Sequence, residues 1–264
     1  GTFDGIHKGH QKILQQLRET AIAVHGETVI ITFHPHPRKI VSSVPGDVKL
    51  LTTLQEKISL LEKAGIDHLV VVPFDHHFSN LSASAYISDF IVAFFKPHTV
   101  VIGYDHRFGK GRLGDFQLLE QLGLENGFVV NEISEQVLQE SVVSSTKIRA
   151  SIAAHDIETA NIFLGYPYFF DGLVVEGNKV GRTIGYPTAN LHIAPEEKLI
   201  PSDGVYAVRV TINDAKEVYM GMMNIGVRPT LDGKKRVVEV NIFDFDADIY
   251  GAQVKVELYY YLRG

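Results

Sequence analysis

The sequence predicts an α/β domain with a parallel sheet, followed by a small antiparallel β-barrel. Up to about residue 165, amphipathic helical patterns alternate with short apolar runs rich in β-branched residues, which is typical of βαβ units. After Gly165-Tyr166-Pro167, short strand-like runs separated by turn residues follow one another, which is typical of an antiparallel barrel or sandwich. We therefore expect two domains.

The α/β region is predicted to alternate helices with short buried strands. Gly65 and Gly127 mark helix ends, because glycine is the usual residue just past a helix. The helices are Gln11–Val24, Leu54–Ala64, Ala85–Phe95 and Asp115–Asn126, and the strands are Thr28–Phe33, His68–Phe74, Thr99–Gly103 and Phe128–Glu132. The Gly/Asp-rich turn at the start ordinarily follows a strand, so a further strand is expected immediately before Gly1.

Two consecutive helices, Ser145–Ala154 and Asp156–Leu164, are predicted to connect the two domains. The strands of the barrel are predicted at Phe169–Glu176, Val205–Ile212, Val218–Asn224, Val237–Phe243 and Gln253–Leu262. We therefore expect a first domain at 1–165, which includes the helical connector 145–165, and a second domain at 166–264.

Composition limits the kind of protein. The chain has 264 residues, of which 45% are hydrophobic, so it can form buried cores. The net charge of −6 gives no general attraction for nucleic acid, and no apolar run approaches the about 18 residues of a membrane span. With no cysteine, disulfides and thiolate metal sites are excluded. The absence of cysteine suits a cytoplasmic protein, and neither a nucleic acid nor a membrane is expected as a partner.

The stretch His7-Lys8-Gly9-His10 is the first candidate site. Its spacing places both imidazoles at the start of the first helix, whose free N–H groups and dipole favour an anion. Gly9 would let a phosphate approach the backbone. Two surface histidines without function are the other interpretation of this spacing, and a zinc site would lack a third ligand.

A second candidate phosphate site is Ser144-Ser145-Thr146-Lys147-Ile148-Arg149, at the start of the connector. Serine and threonine are ordinary N-caps, which is one explanation for them. Hydroxyls, a helix N-terminus, a lysine and an arginine also form a suitable cradle for polyphosphate. Because parallel sheets bind ligands at the carboxyl ends of their strands, a nucleotide could lie between this cradle and the histidines.

The barrel region contains candidate oxygen ligands. In GYPTAN, the Thr188 hydroxyl and the Asn190 carbonyl suit Mg²⁺ bound to ATP phosphates, and residues 177–182 just upstream could fold over those phosphates. Without such a role, this stretch is a Gly/Pro turn with hydrogen-bonded side chains. Glu239 alternates with Val238 and Val240, so it is predicted to point to the opposite face, where a solvated glutamate is the simpler explanation.

Three further patterns resemble known sites. Residues 109–114 fit G-x-G-x-x-G, but a long basic loop separates them from the preceding strand, which argues against a dinucleotide site. The three aspartates at 244–248 resemble a calcium loop, but they lack its glycine and its bidentate glutamate, so a hairpin turn is predicted. His34 to Arg38 follow a strand at its carboxyl end, where substrate contact is expected, whereas Asp75-His76-His77 is predicted to be an ordinary polar loop.

The motifs together resemble a known enzyme family. HKGH is similar to the H-x-G-H signature of nucleotidylyltransferases, and SSTKIR is similar to the S-S-T-x-x-R element of that superfamily. GTFDGIHKGH, TFHPHPRKI and IGYDHRFGKGR resemble the bacterial bifunctional riboflavin kinase/FMN adenylyltransferase (FAD synthetase) family, as do GRTIGYPTANL, PSDGVYAV, NIGVRPT and VEVNIFDFDADIYG. The resemblance covers nearly the whole chain in the expected order. It implies a Rossmann-like α/β/α nucleotidylyltransferase domain and a riboflavin kinase-like barrel.

This resemblance also implies substrates and residue roles. The enzyme would phosphorylate riboflavin to FMN and adenylylate FMN to FAD, with ATP and Mg²⁺, and Glu239 would be the general base of the kinase. His7 and His10 would stabilise charge on the phosphates that are transferred. ATP contacts are implied for the adenylyltransferase at Thr2, Phe3, Asp4, Gly5, His7, Gly9, His10, Ser145, Thr146 and Arg149, and for the kinase at Gly177, Lys179, Gly181, Thr188 and Asn190. Flavin contacts in the adenylyltransferase are implied at His34, Pro35, Asp105 and Arg107, and metal contacts at Thr188 and Asn190.

Three positions depart from the pattern of the family: Thr2 where many members have Asn, His106 where many have Phe, and Asn241 where many have His. Members also usually continue past Leu262-Arg263 into a C-terminal helix, which the resemblance implies is missing here. Three alternatives remain: a silent kinase-like barrel, an adenylyltransferase for another phosphate ester, and a flavin sensor without activity.

Overall fold

The computed structural model describes residues 1–41, 49–133, 143–176, 188–230 and 233–264. The chain forms two compact units, Gly1–Val48 with Leu54–Val143, and Lys49–Thr53 with Ser144–Gly264. The two connector helices therefore group with the second unit. The predicted domains at 1–165 and 166–264 are a division by function and not by contacts. That division stays a prediction.

The first unit contains parallel strands, as the alternation of helices and strands predicts. Strand β1 (Val29–His34) pairs in parallel with β2 (His68–Pro73), and β3 (Thr99–Gly103) pairs in parallel with β4 (Val129–Ile133). They form two two-stranded sheets. Both pairs place their carboxyl ends side by side, because His34 lies opposite Pro73 and Gly103 lies opposite Ile133.

The helices of the first unit begin and end at local signals. Asp115 caps the helix that follows it, and Gly127 ends that helix with a φ of 76°. The predicted helix at 85–95 begins earlier, after the cap Ser82, and contains a π-helical segment, Tyr86–Val92. Among the described residues of this unit, the α-helices are α1 (Lys8–Ala23), α2 (Arg38–Val41), α3 (Leu54–Lys63), α4 (His76–Ser79), α5 (Ala83–Ala85), α6 (Ala93–Phe95) and α7 (Phe116–Asn126), and Lys110–Arg112 is a 3₁₀ turn.

One apolar cluster of the first unit holds the opening turn in place. Ile6, Leu14, Ile30 and Leu61 pack together, so the turn, α1, β1 and α3 share a core. Ile6 is only 2% exposed, although it lies in a turn. Because its side chain is buried, the residues that follow it begin α1 from a fixed position.

The second unit contains a closed antiparallel barrel after helices α8 (Ser145–Ala153) and α9 (Ile157–Leu164). Its strands are β5 (Phe169–Val175), β6 (Ala189–His192), β7 (Gly204–Ile212), β8 (Val218–Thr230), β9 (Gly233–Ile242) and β10 (Gln253–Arg263). Around the barrel the order is β10-β5-β6-β9-β8-β7, and β10 pairs with β7 to close it. Alternate residues of each strand fill the interior, as along β7, where Tyr206, Val208 and Val210 are buried.

Two features of the barrel differ from the prediction. Strand β6 was not predicted, because it has only four residues, Ala189–His192, and two of them are polar. The hairpin predicted at 244–248 is wrong: these residues join β9 to β10, which are not neighbours in the barrel. The connection must therefore pass the ends of β6 and β5, which lie between those two strands.

The short segment Lys49–Thr53 is held within the second unit by backbone and side-chain bonds. Leu50 pairs with Lys198 in a parallel bridge, and the Leu50 N–H donates to the Glu197 carbonyl at 2.7 Å. The Lys198 ammonium is 2% exposed and donates to the carbonyls of Leu51 and Phe169, each at 2.7 Å. The segment is thus anchored by a buried cation that the rest of the unit supplies.

Candidate active sites

The first site lies where the opening turn meets α1. The His7 side chain caps this helix, and its Nδ1 accepts a hydrogen bond from the His10 N–H at 3.4 Å. The two imidazoles stack with ring centroids 3.8 Å apart and an angle of 18° between their planes. The Phe3 ring lies 5.1 Å from the His10 ring. Both predicted histidines are therefore brought together at a helix N-terminus, where the dipole favours an anion.

His10 has an unused hydrogen-bonding atom at this site. Its Nδ1 is buried and has no hydrogen-bond partner among the described residues. Burial lowers the pKa of His10 well below its ordinary value, and the positive charges of His7 and Lys57 act in the same direction. A buried polar atom without a partner costs about 1–3 kcal/mol, so a ligand that supplied a partner would recover that free energy.

The turn itself needs an unusual backbone. Phe3 and Gly5 both have positive φ, of 46° and 84°, and glycine adopts this conformation without strain. Asp4, Gly5 and Gly9 are buried, whereas Thr2 and Phe3 are half-buried. The residues implied as ATP contacts at the start of the chain thus form one ordered turn that leads into α1.

Lys57 on α3 is a residue that the sequence analysis missed. It is 7% exposed, and its Nζ donates to the Thr2 carbonyl at 2.6 Å and to the Thr32 hydroxyl at 3.2 Å. Burial lowers its pKa, while the nearby charge of Asp4 raises it. The available signal was its position in the apolar stripe of α3, three residues after Leu54 and four before Leu61.

The implied flavin contacts lie at the carboxyl ends of parallel strands. His34 ends β1, and Pro35 follows it; Asp105 and Arg107 follow β3. An aromatic cluster connects the two segments, with centroid distances of 5.6 Å for Phe33–Phe78, 6.0 Å for Phe78–Tyr86 and 5.9 Å for Tyr86–Phe108. In the sequence, His34 directly follows Phe33, and Arg107 directly precedes Phe108, so both implied contacts are next to members of this cluster. The Arg107 guanidinium lies 3.6 Å from the Asp115 carboxylate.

The second phosphate cradle has the predicted helix start, but it lies in the other unit. Ser144 caps α8, and its hydroxyl accepts from the Lys147 N–H at 3.3 Å. Ser145 is half-buried, Thr146 is exposed, and the Arg149 Nε donates to the Lys49 carbonyl at 2.7 Å. His7 and His10 belong to the first unit. A joint site made by both cradles stays a prediction.

On the barrel, Glu239 lies in a row of polar residues. It pairs with Asn190 on β6 and with Asn224 on β8. Val238 and Val240, on either side of it, are 7% and 1% exposed, so they face the interior and Glu239 faces outward, as the alternation predicts. Thr188, just before β6, is exposed. The predicted contacts Gly177, Lys179 and Gly181 lie outside the described residues.

A cavity of about 120 Å³ adjoins this row and includes Thr188 in its lining. Apolar and aromatic side chains form much of the rest, including Val174, Ile242, Phe245, Ile249 and Tyr250. The carboxylates of Asp246 and Asp248 also line it, so the cavity combines apolar and acidic groups. Of the lining residues, Phe245 to Asp248 were predicted only as part of a turn.

The structure also accounts for the glycines that resemble a dinucleotide motif. Phe108 and Gly114 form an antiparallel bridge, with N–H to carbonyl bonds of 3.1 Å and 2.9 Å. A Cβ at Gly109 would lie 2.5 Å from the Ala83 Cα, and one at Gly114 would lie 2.5 Å from the Phe108 ring. These glycines are required by close packing, which agrees with the rejection of a dinucleotide site.

Two kinds of feature are absent from the described residues. Among them, no group of three or more His, Asp or Glu side chains is placed to hold a metal ion. The assignment of Thr188 and Asn190 as ligands of Mg²⁺ stays a prediction. In that same part of the chain, no helix has the length and apolar character needed to cross a membrane.

Comparisons with known proteins match both units. Residues 1–147 match the family model for FAD synthetase, and residues 164–264 match the one for riboflavin kinase. Proteins named bifunctional riboflavin kinase/FMN adenylyltransferase are 39% identical in Listeria monocytogenes and 37% identical in Bacillus subtilis. All of this chain is covered in both comparisons, with 82% and 83% of the relatives. The Escherichia coli protein of the same name is 37% identical over 98% of this chain and 81% of its own.

A solved structure has the same fold. The crystal structure named Macrolide-efflux Protein from Streptococcus pneumoniae aligns with a TM-score of 0.88 and 33% identity, over all of this chain and 84% of that one. Its name describes a different activity from the names of the curated relatives. This similarity shows the fold.

Proposed function

Because this chain belongs to the family of bifunctional riboflavin kinase/FMN adenylyltransferases, we propose that its two activities use separate sites, with adenylylation in residues 1–165 and phosphorylation in residues 166–264. The enzyme phosphorylates riboflavin to FMN and adenylylates FMN to FAD. The observation that carries the assignment of sites is the register of Glu239 opposite Asn190 on the barrel. It places a carboxylate beside an amide oxygen suited to a metal–phosphate complex.

In the kinase reaction, Glu239 accepts the proton of the ribityl 5′-hydroxyl while that oxygen attacks the γ-phosphorus of ATP. The bond from this phosphorus to the β–γ bridging oxygen breaks, and ADP leaves. Carboxylates are weak bases toward alcohols, so the main effect of Glu239 is to orient the nucleophile in a loose transition state.

The Thr188 hydroxyl and the Asn190 side-chain carbonyl would hold Mg²⁺ together with ATP phosphate oxygens. When bound, this ion neutralises negative charge on the phosphates. Asn190 lies on β6 in register with Glu239, and Thr188 lies two residues before it, so the barrel sets the spacing between the two ligands and the base. Gly177, Lys179 and Gly181 complete the binding of the phosphates.

In the adenylyltransferase reaction, a phosphate oxygen of FMN attacks the α-phosphorus of ATP, and pyrophosphate leaves. His7 and His10 stabilise the charge on the phosphates at the start of α1. Ser145, Thr146 and Arg149 hold the pyrophosphate side. The residues need only position and stabilise, and no covalent intermediate with the enzyme is required.

The remaining contacts follow the same division. The residues of the opening turn, Thr2, Phe3, Asp4, Gly5 and Gly9, bind ATP in the adenylyltransferase, and His34, Pro35, Asp105 and Arg107 bind the flavin. The functional domains are 1–165 and 166–264, which the two family matches support without fixing the boundary between 147 and 164. The protein acts as a cytoplasmic monomer, with small molecules as its partners.

One assay tests this proposal. The protein is incubated with riboflavin, ATP and a titration of Mg²⁺, and FMN, FAD and pyrophosphate are separated by chromatography. We expect FMN and then FAD, one pyrophosphate for each FAD, and loss of both products with a chelator. FAD from supplied FMN without any consumption of riboflavin would show a silent barrel. No product from either flavin would overturn the proposal.

A further inference from the structure

We propose that Asn224 binds the ribityl chain of riboflavin beside Glu239, an inference that rests on the proposed kinase site. Asn224 lies on β8, directly opposite Glu239 on β9. Residues paired across antiparallel strands project to the same face, so the two side chains lie on the outer face of the barrel. Asn190 flanks Glu239 on the other side, from β6.

The order Asn190, Glu239, Asn224 across the three strands indicates on which side of Glu239 ATP and riboflavin lie. In phosphoryl transfer, the attacking and leaving oxygens lie on opposite sides of the phosphorus. Asn190 is assigned to the metal and phosphates of the donor, so the donor approaches Glu239 from the β6 side. The acceptor hydroxyl must then approach from the β8 side, where Asn224 is the residue in register with Glu239.

Asn224 also has the free groups and the space that a ligand needs. Its side chain is exposed, and the structure gives its amide no hydrogen bond within the described residues. Gly226, two residues further on the same face, has no side chain. Among the described residues, a Cβ added there would meet only the Asn224 Nδ2, at 3.8 Å. The described residues therefore leave space open beside the amide.

The chemistry of the amide fits a sugar alcohol. Each ribityl hydroxyl both donates and accepts a hydrogen bond, and an asparagine amide offers an N–H₂ donor and a carbonyl acceptor. Val205, which pairs with Asn224 on its other side, is apolar and cannot substitute for it. The ring system of the flavin also carries an N–H donor and carbonyl acceptors, so the test has to separate contacts to the chain from contacts to the ring.

The test compares two flavins that share the ring but differ in the chain. Asn224→Ala is titrated with riboflavin and with lumiflavin, which lacks the ribityl group, and binding is followed by flavin fluorescence. We expect riboflavin to bind roughly 3- to 10-fold more weakly, the usual loss for one neutral hydrogen bond, and lumiflavin to bind as to the unaltered protein. The KM for riboflavin should rise by a similar factor, and the KM for ATP should not change.

Met220→Ala is the matched control, because Met220 lies on the same face of β8 and is 63% exposed. It should leave the binding of both flavins unchanged. Equal weakening of riboflavin and lumiflavin by Asn224→Ala would indicate a contact to the ring and overturn the inference. Unchanged riboflavin binding, with an unchanged melting curve, would also overturn it.

Glu239→Gln, assayed in parallel, separates this inference from the kinase site on which it rests. If Glu239→Gln loses riboflavin phosphorylation and Asn224→Ala binds riboflavin normally, the kinase site stands and only the role of Asn224 fails. If Glu239→Gln phosphorylates riboflavin at the normal rate, the kinase site itself is wrong.

Discussion

The two candidate sites are built in opposite ways. In the first unit, polar residues of the site are part of the interior: Thr32 is 0% exposed, Asp4 is 3% exposed, and His7 and Lys57 are each 7% exposed. On the barrel, Glu239 and Asn190 are half-buried on the outer face, and the interior is left to their apolar neighbours along the strands.

This difference implies a difference in how substitutions act. Where residues of the site are also buried and hydrogen-bonded, a substitution should change both activity and stability, because it leaves buried polar groups without partners. Where strand alternation separates the outer face from the core, a substitution should change activity alone. Each of the following variants can confirm or break this contrast.

The largest effect is expected for His10→Ala, which should abolish FAD formation from FMN and ATP. The substitution removes the imidazole that stacks on His7 at the start of α1. The riboflavin kinase rate of the same sample should stay near that of the unaltered protein, since the barrel is not touched. His77→Ala, at an exposed histidine of α4, is the matched control and should retain both activities. A parallel loss of both activities in a folded His10→Ala protein would contradict separate sites.

Next, Glu239→Gln should lower the rate of riboflavin phosphorylation by a factor on the order of 10² or more, the usual scale for loss of a general base. Glutamine keeps the shape of the side chain but cannot take a proton. The free energy of unfolding and the adenylylation of supplied FMN should not change. Initial rates measure the phosphorylation and the adenylylation, and urea unfolding measures the free energy of unfolding.

The control for this variant is Glu158→Gln, at an exposed glutamate of α9 in the same unit, which should retain the kinase rate. A kinase rate of Glu239→Gln within about threefold of the unaltered protein would remove Glu239 from the mechanism. Partial recovery of the rate at raised Mg²⁺ would indicate instead that Glu239 is a metal ligand.

Lys57→Met should reduce stability and adenylylation together. Methionine keeps the length of the side chain but leaves the Thr2 carbonyl and the Thr32 hydroxyl without this donor. The cost should be about 1–3 kcal/mol of unfolding free energy, and FAD formation should slow because the opening turn is less well held. Calorimetry and the FAD assay measure the two effects, with Lys63→Met, at an exposed lysine of the same helix, as the control. Normal stability with normal FAD formation would show that Lys57 is dispensable for both.

The smallest effect concerns pH. Burial lowers the pKa of His10 well below its ordinary value and that of His106 to about 4. Below an ordinary histidine pKa of about 6.5, the unfolded chain therefore binds more protons than the folded one, so stability is full above about pH 6.5 and falls as pH drops toward the folded values.

The loss should not exceed about 1.4 kcal/mol per pH unit for each histidine. Around His106, the Asp105 charge opposes the effect of burial on the pKa, and the Arg112 charge adds to it. Urea unfolding of the first unit at about pH 7.5, 6.5 and 5.5 measures the slope, and His106→Gln should make it less steep. An identical slope in that variant would show that His106 does not contribute.

Sequence signals that act locally predicted much of the fold. Asp115 and Asp156 cap helices, and Gly127 and Gly165 end them, so the bounds of α7 and α9 follow from neighbours in the chain. The outward direction of the Glu239 side chain also follows from its neighbours in the chain, because side chains alternate between the two faces of a strand. The pairing of His7 and His10 at a helix start needs only the residues from 7 to 10.

Features that depend on distant parts of the chain could not be predicted. The position of β6 between β5 and β9, and the separation of β9 from β10, are set by barrel closure. Lys57 is recognisable as part of the first site only once α3 packs beside the opening turn. The cavity beside Thr188 is formed by segments more than 50 residues apart in the chain, such as those that contain Thr188 and Tyr250.

The anchoring of Lys49–Thr53 by the buried Lys198 has a consequence for recombination among relatives. A chimaera that joined the first 143 residues of one relative to the remainder of another would contain this segment from one parent and its partners from the other. The pairs that would be tested are Leu51 with Lys198 and Lys49 with Arg149. Since the acceptors in both pairs are backbone carbonyls, a substitution at 49 can keep the bond from Arg149, whereas the side chain at 51 has to fit the core, because Leu51 is 1% exposed. Lys198 and Arg149 have to be inherited with a segment of the same length.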